Sequence, residues 1–128
     1  MSATAPGIEA ERELHDLYGR YKTLTMAAAA ALMLDSSVGD LAGAVAELLA
    51  DCRVAAGGAS PLRPQLVACA GATEELERLV VATLAGGATA ADLERVRVTH
   101  RVLRHEVWRV LSCEYVPCCA SDDARHDG

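Results

Sequence analysis

Residues 60–83, SPLRPQLVACAGATEELERLVVAT, decide the fold class. Ser60 is a good helix cap and Pro61 has no N–H to forfeit at a first helical position, so the pair marks a helix start. Downstream, Leu62, Leu66, Cys69, Thr73, Leu76, Val80 and Thr83 follow an alternating four-three spacing, which one helix face presents as a continuous seam. Pro64 falls in the first turn, where proline is tolerated. Gly71 costs about 1 kcal/mol relative to alanine inside a helix, and is where the segment would kink or break to give a fifth, shorter helix. Gly86-Gly87 closes the segment.

The same pattern extends both ways. On the C-terminal side, Thr89 through Asp92 form a second capping signal, followed by Leu93, Val96, His100, Leu103, Val107 and Val110 at seam spacing, with Pro117 ending that helix by about Tyr115. On the N-terminal side, Leu41, Val45, Leu48 and Cys52 stripe a short helix expected to stop at Gly57-Gly58 with a left-handed cap. Its start is read from Asp35-Ser36-Ser37, with Ser37 as N-cap and Asp40 in a capping-box position, and it is expected to be the shortest helix. A first helix over residues 8–34 carries Leu14, Leu17, Tyr21, Leu24, Ala28 and Ala31 on one face, with Glu9, Glu11 and Glu13 in its first turns. The alanine run at residues 27–31 predicts a smooth surface that a neighbouring helix approaches closely. No segment alternates apolar and polar residues convincingly, so no strand is expected. Four helices joined by short connections give an all-α, single-domain antiparallel bundle over residues 1–120, with a polar, disordered tail at 121–128.

Composition fits that architecture. Among 128 residues 52% are hydrophobic, but with no Phe, one Trp and three Tyr the core must be filled by Leu and Val against small alanine faces. Lys22 is the single lysine, Ile8 the single isoleucine, and asparagine is absent. That bias points to GC-rich codons, and so to a GC-rich bacterium or GC-rich DNA virus. The net charge of −6 argues against nucleic acid or an anionic membrane as the main partner. Arg95, Arg97, Arg101, Arg104 and Arg109 interrupt that acidity, but helical spacing spreads them over several faces, which predicts solvated side chains and intrahelical pairs. The longest apolar stretch, residues 24–34, is too short to span a bilayer, and with no secretory signal visible an intracellular protein with reduced thiols is expected.

The residues with chemistry are few. Cys113, Cys118 and Cys119, with His105 or His126 as a fourth ligand, offer thiolates and an imidazole of the kind that hold Zn, although the spacing matches no paired CxxC pattern. The same cysteines suit a redox or acylation site, whereas Cys52 and Cys69 lie on apolar stripes and read as buried thiols. His100 and His105 are five apart and point away from each other, so they do not form the i, i+4 pair of a HExxH zinc site. No Ser/His/Asp order, phosphate-binding glycine loop or Glu-x-x-His pair is present. The expectation is a non-catalytic adaptor, regulator or accessory bundle that binds a protein partner or itself through a helical face, with no catalytic residues and no cofactor. The alternative is thiol-based metal binding or redox sensing at the C-terminal cysteines.

Overall fold

The computed structural model describes residues 5–34 and 38–111, with side chains from residue 9 onward. Four helices account for most of this stretch: α1 (Ala5–Met33), α2 (Gly39–Gly57), α3 (Arg63–Leu84) and α4 (Ala90–Trp108). There is no strand among the described residues. Helix α3 is the organising element, since it packs against α2, α4 and α1, while α1 also packs against α2.

The helix termini show which local signals act. At the start of α4 the Thr89 amide donates to Asp92 Oδ2 at 2.8 Å and the Asp92 amide donates to Thr89 Oγ1 at 3.3 Å. This reciprocal capping box satisfies two amides that the helix leaves without partners. At the end of α3, Gly86 has φ of 77°, the Gly86 amide donates to the Thr83 carbonyl at 3.0 Å and the Gly87 amide to the Ala82 carbonyl at 2.9 Å. These two bonds form a Schellman motif, and the left-handed conformation they require is one that glycine adopts without a Cβ penalty.

Other termini depart from expectation. Helix α3 starts at Arg63, two residues beyond Pro61, because Ser60 Oγ accepts from the Leu62 amide at 3.1 Å and closes a local turn before the helix. Pro64 takes the tolerant early position instead. Helix α2 has Val38 at its N-cap with no side-chain cap, and Ser37 lies outside the described residues. Its C-cap Gly58 is extended, with φ of −87° and ψ of 178°, so no left-handed cap is used there. Helix α2 is no shorter than α4, each having 19 residues. Helix α1 begins early enough that no acidic residue falls in its first turn. The break that Gly71 would allow does not occur: α3 runs on through it to Leu84. The tail expected at 121–128 lies outside the described residues.

The core gathers the expected stripes. Leu14 and Tyr21 of α1, Val45, Leu48 and Cys52 of α2, Leu66, Cys69, Leu76 and Val80 of α3, and Leu103 and Val107 of α4 are buried in one cluster. Each fully buried leucine contributes about 1.5–3 kcal/mol relative to exposure. The largest fully buried side chains are nonetheless Tyr18 and Tyr21, so α1 supplies aromatic volume where composition predicts a Leu/Val/Ala interior. Ion pairs at the edges tie neighbouring helices: Arg20 to Asp51 at 2.9 Å, Arg53 to Glu74 at 3.2 Å, and Arg95 to Glu75 at 3.6 Å. As partly exposed pairs they select geometry more than they stabilise it. No helix is long and apolar enough to cross a membrane among the described residues.

Candidate functional site

The C-terminal half of α1 is incompletely covered. The alanine run contributes one buried residue, Ala28, while Ala29 and Ala30 are exposed, and Met26 and Met33 are 67% and 85% exposed. The close helix contact expected along this surface is therefore limited to its Ala28 and Ala31 side, which packs into the core. Beside it a groove separates this part of α1 from the first half of α4, and α3 forms its floor. Ala28, Leu32 and Met33 line one wall, Leu93 and Val96 the other, and Leu76 and Leu79 the base of a cavity of about 440 Å³. Leu93 is 45% exposed although it begins the α4 seam, because nothing covers it from the α1 side.

Further along, the groove changes character. Thr25, Arg97, His100, Arg101 and Arg104 line a second cavity of about 270 Å³ that shares Thr25, Val96 and Arg97 with the first. A third, of about 300 Å³, is lined by Arg101, Arg104, His105 and Trp108. Arg97, Arg101 and Arg104 stand at i, i+4 and i+7, the spacing of a single helix face. The expected intrahelical pairing holds for Arg95 with Asp92 and Arg109 with Glu106, but Arg97 and Arg101 form no ion pair with a described carboxylate. In a chain of net charge −6, this is a locally cationic strip beside an apolar one.

The strip also holds polar atoms without partners. The Tyr21 ring stacks on His100, with centroids 5.6 Å apart and planes inclined by 23°. Tyr21 Oη, Thr25 Oγ1, His100 Nδ1 and Trp108 Nε1 are all buried without a hydrogen-bond partner among the described residues. Burial pushes the Tyr21 phenol up to about 12, with the nearby Thr25 hydroxyl opposing part of that rise. Burial likewise lowers the His100 pKa, reinforced by the positive charges of Arg104 and Lys22, so the imidazole is neutral near pH 7. A neutral stacked ring joins α1 to α4 without adding charge to the strip.

Of the thiol residues, Cys113, Cys118 and Cys119 lie outside the described residues. His105 is exposed in the last turn of α4, on the wall beside Trp108. Among the described residues no three His, Cys, Asp or Glu side chains converge as metal ligands. Instead the fold brings together the two cysteines that read as packing. Cys52 Sγ and Cys69 Sγ are 3.5 Å apart, both thiols are free and buried, and Thr73 Oγ1 lies 3.9 Å from Cys52 Sγ. The signal for this was present in the stripes, since each cysteine occupies a core position on its helix, but pairing them requires knowing the relative register of α2 and α3.

Comparison with models of protein families, with curated proteins and with solved structures finds no match.

Proposed function

We propose that this chain is a non-catalytic interaction module, an adaptor or accessory factor, whose α1–α4 groove receives an amphipathic helix from a partner protein that carries acidic side chains. The observation that carries this reading is the juxtaposition of an apolar trough with Arg97 and Arg101, which pair with no described carboxylate. A helix laid in a groove anchors through apolar residues at i, i+3, i+4 and i+7. The accessible Leu32, Met33 and Leu93 side chains, over a floor of the buried Leu76, Leu79 and Val96, suit those anchors, and the arginines suit carboxylates on the same helix, with bidentate geometry available to each guanidinium.

The finer architecture belongs to the same reading. An antiparallel up-down-up-down arrangement is supported by the short connections at residues 58–62 and 85–89 and by the packing of α2 on α3 and α3 on α4. In such a bundle the α1–α4 seam offers a groove for a guest beside the Tyr21–His100 contact.

Trp108, the single tryptophan, lines the cationic end of the groove and reports its occupancy by fluorescence. The test is a titration with two designed amphipathic helical peptides sharing a leucine face, one with glutamates and the other with lysines on the flanks. The glutamate peptide is expected to shift Trp108 emission saturably, more weakly at high salt, and to lose that preference in Arg97→Glu/Arg101→Glu. Equal response to both peptides, or to neither, overturns the proposal. A dimer in sedimentation that dissociates in the same double variant makes a second copy of the chain the occupant instead.

A further inference from the structure

Two buried thiols in sulfur–sulfur contact across a helix pair are a chemical arrangement as well as a packing one. We propose that Cys52 and Cys69 form an oxidative modification site, which a low-molecular-weight disulfide converts to an internal disulfide that staples α2 to α3. The inference is independent of the groove reading and does not involve the C-terminal cysteines.

The geometry asks little of the fold. The 3.5 Å between Sγ atoms must close to about 2.05 Å, a movement of roughly 1.5 Å shared between two side chains. Both residues lie near the α2–α3 connection, with Cys52 in the last turns of α2 and Cys69 in the second turn of α3. That end opens by local fraying more readily than the middle of a helix, which gives a small oxidant access to thiols that are otherwise buried.

The two sulfurs are not equivalent. Hydrogen bonding from Cys69 favours the thiolate of Cys52, with smaller help from Thr73 and Arg20 against the opposing cost of burial. Cys69 is held strongly in the thiol form, because it would have to ionise against the hydrogen bond and charge of Cys52 and inside the core. Cys52 is therefore the attacking sulfur and Cys69 the resolving one. In the first step the Cys52 thiolate attacks one sulfur of the oxidant, forming a mixed disulfide and expelling one thiolate. That thiolate takes up the Cys69 proton, and the Cys69 sulfur then attacks Cys52 and expels the second thiolate, which takes up the proton that Cys52 released to solvent. Two protein thiols lose two electrons and two protons, and one disulfide becomes two thiols.

The test uses the full chain with Cys113→Ser, Cys118→Ser and Cys119→Ser, treated with oxidised glutathione in native buffer. Expected is a mass loss of about 2 Da that maps to a Cys52–Cys69 linkage, with retained helical circular dichroism. The thermal midpoint should rise by roughly 10 °C, as expected for closing a loop of this length. Adding either Cys69→Ala or Cys52→Ala should abolish both the linkage and the rise in midpoint. Persistence of two free thiols, or a linkage that forms only with loss of helicity or a lowered midpoint, overturns the inference. The mass and midpoint of the parent decide between these outcomes even where a single-cysteine variant does not fold.

Discussion

Tyr21 and His100 stack across the α1–α4 seam at 5.6 Å, with the His100 imidazole partly enclosed and its Nδ1 without a partner among the described residues. Because burial and the Arg104 and Lys22 charges lower its pKa from 6.5, the folded state binds the proton less readily than the unfolded state does. Stability linked to His100 is therefore fully present above pH 6.5 and declines as pH falls below it toward the lowered folded value. Urea midpoints measured at pH 7.5 and 5.5 should fall on acidification in the wild type and fall less in His100→Gln. Parallel declines would assign the acid sensitivity to other groups.

The capping box at Thr89 gives a stability prediction that involves no core contact. Thr89→Ala removes the hydroxyl that accepts from the Asp92 amide, and about 1 kcal/mol should be lost. Hydrogen bonding from the Thr89 amide and hydroxyl, followed by the Arg95 guanidinium, also holds the Asp92 carboxyl below its usual range. The part of the cap that the Asp92 carboxylate accepts should therefore be present at neutral pH and lost as acid protonates Asp92, so the gap between the wild-type and Thr89→Ala denaturation curves should narrow at low pH without closing, because the Asp92 amide still donates to the wild-type hydroxyl.

Gly71 separates what was legible in the sequence from what was not. Periodicity and caps identified the four helical segments, the core stripes and the box at Thr89, because these are consequences of local spacing. A glycine in mid-helix is locally ambiguous, and the continuity of α3 is decided by packing on both sides of it, through Cys69, Ala72 and Thr73. Tyr18 escaped the α1 stripe for a related reason: the helix is covered over a wider arc near its N-terminal half than a single seam implies. The groove is the converse case, since the alanine run looks like an ideal close-packing surface, yet Ala29 and Ala30 stay uncovered while Ala28 packs into the core. The arginine strip was visible as composition but not as a site. The Cys52–Cys69 contact depended on inter-helix register, which local patterns do not encode.

The same glycine yields a substitution that should stabilise. A Cβ at Gly71 would meet no atom within 4 Å, and its helical backbone suits any L-residue. Gly71→Ala is expected to gain about 0.5–1 kcal/mol, by removing backbone freedom from the unfolded chain. Chemical denaturation measures this directly, and a loss of stability would mean that α3 needs flexibility at this point.

The most direct test of the groove as a docking surface is residue-resolved: backbone amide chemical shifts of the full chain, followed as the glutamate-flanked amphipathic peptide is added. Expected are saturable shifts concentrated at Thr25, Ala29, Leu93, Arg97 and Arg101, lost in Arg97→Glu/Arg101→Glu while the spectrum of the fold is retained. Shifts centred on the outer face of α2, or none at millimolar peptide, would contradict it.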